Sequence, residues 1–482
     1  MRLQDLLARV DCLSFRGDLE RDISHITQDS REASPRSGFV AVCGAHVDGH
    51  RYASGVSAGL IVVEREVAVP PGASVAVVAD SRLALAQLSA ALHDFPARRL
   101  QLVGITGTNG KTTTARLFEA VAAACGKTVG VIGTAGHRVG GRDVPAAYTT
   151  PEAPRWQALL AEMADAGCEW VAAEVSSIGL AARRVDATDF SVAVFTNLSR
   201  DHLDYHGDMT AYAEAKARLF RELLPAGGAV VINAEDPAAL AIVGERPDAR
   251  RLSYGLGGGD LTVRGLTLTA AGSRGVLVTP EGEAPFSLRL IGRYNVLNAL
   301  AAAGAAIALG ASTADIAAGL AGVERVEGRL EAVADPSGSA GVTVLVDYAH
   351  SDDALRVALA ALREVCRGSL IVVFGCGGDR DRGKRPLMAR AATAGADRVY
   401  ATSDNPRSED PLAILDDIRP GLGPDAVVEP DRARAVRLAI GAAVAGDVVL
   451  IAGKGHEQYQ EIAGVRHPFD DRRVAAAALE TR

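Results

Sequence analysis

No two cysteines in this chain stand at Cys-x-x-Cys spacing. The six present, Cys12, Cys43, Cys125, Cys168, Cys366 and Cys376, are scattered and read as free or buried thiols of a reducing compartment. No apolar run reaches the roughly 20 residues that a membrane span needs; the longest, 299–311, is rich in alanine. The first residues, Met1-Arg2-Leu3-Gln4-Asp5, lack the apolar core of a signal peptide. A cytoplasmic protein without a membrane span is therefore expected. Basic excess is also missing: 51 Lys and Arg stand against 59 Asp and Glu, a net charge of −8. That argues against a nucleic-acid partner while leaving room for a local basic cleft. Neither a low-complexity linker nor a short internal repeat is present.

The chain's 482 residues are too many for one hydrophobic core, and at roughly 100–200 residues per domain two to four domains are expected. Residues 1–98 hold two apolar runs of strand length, 38–42 and 59–63. A second unit, 99–327, opens with a strand at Leu100 and continues with strands at 128–132, 170–175, 191–196 and 229–232, with helical patterns between. Such alternation signals a doubly wound parallel sheet. Within it, 260–290 changes to short alternating runs broken by glycine, which predict a small antiparallel sheet, and 295–309 returns to helix. The third unit, 328–482, has strands at 342–347, 370–374, 398–402 and 448–452. Its β/α order predicts a Rossmann-like domain. The fold class is α/β, in three domains.

The most informative stretch lies where the second unit begins. Gly107-Thr108-Asn109-Gly110-Lys111-Thr112-Thr113 follows a strand and opens a helix. A strand, a glycine-rich turn and a helix N-terminus make a phosphate-binding loop, in which backbone N–H groups surround phosphate oxygens, Lys111 reaches the terminal phosphates and Thr112 can ligate Mg²⁺. The loop is a variant, because Ile105 stands where the strict pattern has its first glycine. Ligands of open parallel sheets sit beyond the C-terminal strand ends. Glu174, Asn197 and the run Asp201-His202-Leu203-Asp204 fall there. Each alone is an ordinary polar residue; with Thr112, Glu174 and His202 form a credible ligand set for Mg²⁺. Lys216, on an alanine-rich helix, reads by itself as a solvated charge.

Several segments together resemble the Mur ligases, ATP-dependent amide-bond ligases of peptidoglycan precursor synthesis. They are the phosphate loop, Glu174-Val-Ser-Ser177, 196–206 (Thr-Asn-Leu-Ser-Arg-Asp-His-Leu-Asp-Tyr-His), 212–220 (Tyr-Ala-Glu-Ala-Lys-Ala-Arg-Leu-Phe), Gly292-Arg-Tyr-Asn-Val-Leu-Asn298, Gly328-Arg329, Asp347-Tyr-Ala-His350, Gly375-Cys-Gly-Gly-Asp-Arg-Asp381 and Gly453-Lys-Gly-His-Glu457. The likeness spans nearly the whole chain in order. It implies that ATP activates a substrate carboxylate as an acyl phosphate, which an amine then attacks, with two Mg²⁺ ions neutralising the crowded oxygens. It implies that Lys111, Glu174, His202 and Lys216 are catalytic. Metal would be held by Thr112, Glu174, His202 and a carbamylated Lys216. Bare lysine repels Mg²⁺, whereas its carbamate is an anionic oxygen ligand. ATP would meet 107–113, Asn295, Asn298, Arg329, Asp347 and His350. Asn295 and Asn298, three apart at a helix start, can share a face. After His350 the usual Thr-Pro is Ser351-Asp352, so the shape of that loop is in question.

The first unit, with Thr27-Gln-Asp-Ser30-Arg31 and Asp48-Gly49-His50, resembles the family's uridine-nucleotide domain. Ser30, Thr149, Thr150, Ser176 and Arg184 match positions that hold the UDP-muramoyl-dipeptide. Ile178 stands where most members have histidine. Asp404-Asn405-Pro406-Arg407, at the end of a third-unit strand, is the form the family uses for diaminopimelate. Arg407 offers a planar fork for that molecule's second carboxylate, Glu457 an anion for its ammonium, and Arg380 and Gly453 further contacts. Lysine would leave Arg407 unpaired, and sites built to pair a polar group reject analogues lacking it by roughly 10⁴–10⁵. The implied reaction joins meso-diaminopimelate to the D-glutamate of UDP-N-acetylmuramoyl-L-alanyl-D-glutamate; the alternative amine is L-lysine. A folate-type polyglutamate ligase is opposed by the first-unit motifs. A GTPase switch is opposed by the lack of Asn-Lys-x-Asp. The partners are these small molecules, and a monomer is expected.

Overall fold

The computed structural model describes residues 1–44, 47–269, 271–335 and 341–481. Its first sheet runs in the order Cys12–Arg16, Ser74–Val78, Leu60–Val63, Ser37–Val40, His25–Thr27. The first pair is antiparallel and the rest parallel. Helix Ser81–Leu92 starts where Asp80 accepts from the Leu83 N–H at 3.0 Å, and it lays Leu85 and Leu88 on one face of this sheet. The apolar runs at 38–42 and 59–63 are strands as expected; the outer strands, whose residues are partly exposed, carry a weaker pattern.

The second sheet has eight strands. Their order is Arg250–Tyr254, Ala229–Asn233, Val192–Phe195, Gln101–Thr106, Trp170–Glu174, Val129–Ile132, His137–Val139, Arg142–Val144. The first six are parallel. The last two form an antiparallel edge that the sequence did not announce, because three-residue strands carry too little alternation. The central strands are buried on both faces, which is why they read as unbroken apolar runs. Strand Gln101–Thr106 sits at the switch point, with Trp170–Glu174 on one side and Val192–Phe195 on the other. The loops leaving all three therefore meet.

Helix Lys111–Ala124 buries Leu117, Phe118 and Val121 completely, each worth about 1.5–3 kcal/mol of transfer from water. The alanine-rich run is helix Arg293–Ala308, packed in the same core. No helix among the described residues is long and apolar enough to cross a membrane. A small residue brings a further helix, Thr313–Ala321, onto Lys111–Ala124: a Cβ on Gly319 would lie 2.5 Å from the Val121 Cα. Strands Thr262–Thr269, Gly272–Thr279 and Gly282–Leu288 make the antiparallel sheet expected at 260–290.

The third sheet runs Glu331–Ala332, Thr343–Asp347, Val448–Ala452, Leu370–Cys376, Arg398–Ser403, Val427–Val428. Apart from the first strand it is parallel. Its C-terminal edge gathers Asp347, Gly453, the 377–380 turn and Asp404. A hairpin, Tyr459–Ile462 with Val465–Pro468, stands beside that edge and joins Arg407 by a bridge to Ile462.

Candidate active site

The phosphate loop is held rigid by the strand beside it. Thr108 N–H donates to the Asn197 carbonyl at 2.8 Å and Asn109 N–H to Asn197 Oδ1 at 2.9 Å. Thr196 Oγ1 and Asn197 Nδ2 donate to the Asn109 carbonyl at 2.6 and 3.1 Å. Gly107 has φ +146°, and a Cβ there would lie 1.9 Å from Thr196 Oγ1; only glycine fits both the dihedral and the space. Lys111 Nζ donates to the carbonyls of Gly107 and Thr108, both at 2.9 Å. Burial lowers its pKa, with Glu174 and Asp201 opposing.

Thr112 donates from Oγ1 to Glu174 Oε2 at 2.9 Å. Glu174 is buried and also accepts from Thr134 N–H at 2.9 Å and Thr134 Oγ1 at 3.0 Å. Thr134 was not singled out in the sequence; it follows a strand by two residues, and only its neighbours in space give it a role. Arg329, at the start of the third unit, donates from Nη2 to Thr112 Oγ1 at 3.2 Å.

Lys216 corrects the residue-level reading of it as a solvated charge. It is 1% exposed, because helix Met209–Arg221 turns that face toward the sheet. Its Nζ donates to the Gly107 carbonyl at 2.8 Å and lies 4.4 Å from the Tyr212 ring centre. Burial first, then the neighbouring Lys111, lower its pKa well below the ordinary lysine value, with Asp201 opposing. His202 has φ +54° and sits 3.6 Å from an Asp201 oxygen. Burial lowers its pKa to about 4, with Asp201 opposing.

A cavity of about 350 Å³ is lined by Thr108, Asn109, Gly110, Lys111, Thr112 and Thr113, by Thr149, Glu174, Ser176 and His202, and by Asn298, Arg329, Asp347 and His350. Gly107 and Lys216 lie behind this wall. Asn295 is buried beside it, accepting from Asn298 Nδ2 at 3.2 Å and donating to the Ile291 carbonyl at 2.8 Å. The shared helix face expected for the two asparagines is present. Asp347 accepts from the Leu330 and Ala349 N–H groups at 2.7 and 2.8 Å, and burial raises its pKa. The Arg329 guanidinium lies 4.9 Å from the Tyr348 ring centre. His350 bonds the Tyr348 carbonyl through Nδ1 at 2.8 Å. Ser351-Asp352 finds an explanation here. Ser351 accepts from the Ala354 N–H and caps helix Asp352–Arg363. From that helix Asp353 accepts from Asn109 Nδ2 at 3.3 Å, tying the third unit to the phosphate loop.

A second cavity, of about 610 Å³, opens between the first and second units. Ser30, Arg184 and Ile178 line it, with Asp29, Arg31 and Glu152. Arg184 donates to the Thr150 carbonyl at 3.0 Å and pairs with Glu152. Thr150 Oγ1 in turn donates to the Glu174 carbonyl at 2.9 Å and accepts from the Ser176 N–H at 3.0 Å. Thr149 bonds Thr134 through their hydroxyls at 2.9 Å. The five residues proposed to hold the muramoyl substrate thus trace a path from the second cavity to Glu174.

At the edge of the third sheet, Asn405 donates from Nδ2 to Glu457 Oε2 at 2.8 Å. Lys454, fully buried, donates to Asn405 Oδ1 at 2.9 Å and Glu457 Oε2 at 3.1 Å, with Asp404 Oδ1 at 3.6 Å. Asp404 Oδ1 is buried without a hydrogen bond. Gly453, at φ +117°, would place a Cβ 3.3 Å from Asp404 Oδ2. Arg407 donates from Nη1 to the Gly378 carbonyl at 2.7 Å, and Arg380 to the Asp379 carbonyl at 3.1 Å. Pro406 lies between, its carbonyl against Gly378. Lys454 carried no assignment in the sequence, although it stands inside Gly453-Lys-Gly-His-Glu457. A lysine one residue from a pocket glycine was the available signal.

A phosphate loop at the switch point of one parallel sheet, facing the C-terminal edge of a second, defines a nucleotide-using enzyme of the ligase class. The chain belongs to the Mur ligase family: residues 105–306 match the Mur ligase middle domain and 328–455 the Mur ligase glutamate ligase domain. It is 44% identical to UDP-N-acetylmuramoyl-L-alanyl-D-glutamate–2,6-diaminopimelate ligase of Geobacter sulfurreducens, over 100% of this chain and 99% of that protein. It is 46% identical to the ligase of the same name from Gloeobacter violaceus, again over 100% and 99%. A solved structure of UDP-N-acetylmuramoyl-L-alanyl-D-glutamate–2,6-diaminopimelate ligase superposes with a TM-score of 0.69 at 33% identity, covering 100% of this chain and 99% of that one. Mycobacterium tuberculosis folylpolyglutamate synthase complexed with ADP shares the fold, with a TM-score of 0.63 at 22% identity over 77% and 91% of the two chains.

Proposed function

We propose that this protein uses ATP to join meso-2,6-diaminopimelate to the D-glutamate of UDP-N-acetylmuramoyl-L-alanyl-D-glutamate, releasing ADP and phosphate, as a cytoplasmic step of peptidoglycan precursor synthesis. The observation that carries it is likeness over the full length to ligases of that name. Residues 1–98 are assigned to the uridine nucleotide, 99–327 to ATP, and 328–482 to the incoming amino acid. The muramoyl dipeptide would extend from Ser30 past Arg184 to Ser176 and Thr149. Its terminal carboxylate would then face Lys111 and the ATP γ-phosphate, where its oxygen would take the phosphoryl group and ADP would leave, before the amine displaces phosphate from the acyl phosphate. ATP lies along 107–113, with its base toward Asn295 and Asn298 and its sugar toward Arg329, Asp347 and His350.

The donor set fits Mg²⁺. The Thr112 hydroxyl and the Glu174 carboxylate touch and face one cavity, and oxygen is the ligand this ion prefers. His202, which lines the same cavity, would join them. Bare Lys216 does not fit as a ligand, but a buried neutral amine is the form that takes up CO₂, and the carbamate completes the set. When bound, Mg²⁺ would offset the charge of the phosphate oxygens.

The amine end favours diaminopimelate over lysine. Arg407 and Arg380 offer guanidinium groups for a second carboxylate, while Asp404 and Glu457, gathered around the Lys454 ammonium, are the carboxylates assigned to the second amino group. The test is phosphate release with ATP and the UDP-muramoyl-dipeptide, comparing meso-diaminopimelate with L-lysine, and with the product mass measured. Release with diaminopimelate, and a product heavier by that amino acid less water, is expected. Equal use of the two amines would overturn the choice of amine; no release with either would overturn the ligase reading.

A further inference from the structure

Two turns carry the arginines of the amine pocket, and a third arginine, outside the pocket, fastens them together. Arg385 opens helix Arg385–Gly395, and its side chain is fully buried. It forks onto Glu409, donating from Nη2 to Oε1 at 2.7 Å and from Nη1 to Oε2 at 3.0 Å. Nη1 also donates to Asp417 Oδ2 at 2.8 Å. Glu409 Oε1 accepts a further bond from the Asp379 N–H at 2.6 Å. Asp379 in turn accepts from Ser408 Oγ at 2.6 Å and from the Ser408 N–H at 3.2 Å. Asp379 thus ties its turn to the other by three hydrogen bonds.

Both turns are held in an unfavourable shape. Asp379 and Arg407 each have φ +54°, in the region that costs a side-chain-bearing residue energy unless its surroundings fix it. A Cβ on Gly378 would lie 1.9 Å from the Pro406 carbonyl oxygen, so the two backbones touch. Arg380 follows Asp379 directly, and Arg407 precedes Ser408. The Asp379–Glu409–Arg385 chain lies beneath both arginines and braces the direct bonds between the turns, Gly378 N–H to the Asn405 carbonyl at 2.9 Å and Arg407 Nη1 to the Gly378 carbonyl, while Arg385 Nη2 also reaches the Gly377 carbonyl at 3.4 Å.

We infer that Arg385, acting through Glu409, is a positioning residue for the incoming amino acid: it sets the spacing of Arg380 and Arg407. The inference rests on the proposed diaminopimelate-adding reaction. Lysine in place of arginine keeps the charge but cannot bond both Glu409 oxygens and Asp417 in one plane. Misplacing a binding group by an ångström can cost about 10²-fold.

The test is steady-state kinetics on the full chain, with thermal unfolding of each variant. In Arg385→Lys the KM for meso-diaminopimelate should rise about 10-fold or more while kcat and the KM for ATP change by less than about 3-fold. Glu409→Gln, which keeps the side-chain shape, should show the same split more weakly, and Ser408→Ala more weakly still. A purely structural role would lower Tm without separating the amine KM from the ATP KM. A folded Arg385→Lys with the wild-type amine KM overturns the inference. Should that variant fail to fold, Glu409→Gln decides on the same criterion. A wild type that ligates no diaminopimelate overturns the functional reading and this inference with it; a wild type that does, with variants that match it, overturns this inference alone.

Discussion

Both functional ends of the molecule bury lysines, and they treat them in opposite ways. Around the phosphate loop, Lys111 and Lys216 donate to the backbone carbonyls of Gly107 and Thr108. Among the described residues neither forms a hydrogen bond or an ion pair with a carboxylate. At the edge of the third sheet, Lys454 is enclosed by Asn405, Glu457 and Asp404. On the proposed function, the difference follows from what each end has to receive. A site for phosphates, and for a carbamate, keeps its cations short of counter-charge, since the ligand brings the anions. A site for an ammonium keeps carboxylates, and a resident lysine holds them apart while nothing else does.

The largest effect in this comparison should come from Lys111→Ala. In its proposed role the lysine supports transferring phosphate charge, and it packs in no apolar core. Ligation should therefore fall by about 10²–10³ or more while the unfolding temperature stays near that of the wild type. Turnover within a few-fold of normal would remove this loop from the chemistry.

Lys216→Met and Lys454→Met test the comparison itself. Removing one partner of a buried ion pair strands the other and costs about 3–5 kcal/mol, so Lys454→Met should lower Tm clearly. Lys216 has no carboxylate to strand, and replacing an isolated buried amine with an apolar chain of similar length is close to neutral. Its Tm should hold or rise while activity collapses, and short carboxylic acids added to Lys216→Ala should restore part of it. Equal losses of Tm in the two methionine variants would erase the distinction drawn between the two ends.

Arg407→Ala comes next. Truncating a charge-assisted pair costs roughly 2–5 kcal/mol, so kcat/KM for diaminopimelate should fall about 10²-fold, with smaller changes for ATP. Lysine use should rise little, because removing an arginine does not build a lysine pocket. A wild-type preference ratio near one would reduce 404–407 to a turn.

These regions also differ in how far the sequence exposes them. The phosphate loop is contiguous, so Gly107 to Thr113 could be read directly, and the strands that aim it are apolar enough to find by pattern. Lys216 could not, because its helix exposes Glu214 and Arg221 and nothing local says which face turns inward. Only the family resemblance marked it. Thr134 and Arg385 stayed hidden for a common reason: their carboxylate partners lie 40 and 24 residues away, and no local spacing encodes such pairs; Lys454 has Glu457 three residues on, but its other partner, Asn405, lies 49 residues away. The antiparallel edge strands at 137–144 are too short to show a period. Ile178 lines the second cavity, and nothing in the structure explains isoleucine there.

The smallest effect expected lies where the two ends join. Ser351 begins helix Asp352–Arg363, and its hydroxyl accepts from the Ala354 N–H at 3.3 Å. Asp352 and Asp353 occupy the first turn, where negative charge suits the helix dipole. Asp353 also meets Asn109 of the phosphate loop. Loss of an N-cap typically costs about 0.5–2 kcal/mol, and this bond is long, so Ser351→Ala should fall at the low end. Because that helix end touches the phosphate loop, the loss should also appear as a rise of about 2- to 3-fold in the KM for ATP, with the KM for diaminopimelate unchanged. Ser351→Asp, which restores a capping acceptor, should recover both stability and ATP affinity. If Ser351→Ala lowers Tm but leaves the ATP KM where it was, the cap stabilises the third unit alone, and the Asn109–Asp353 contact does not link it to the phosphate loop.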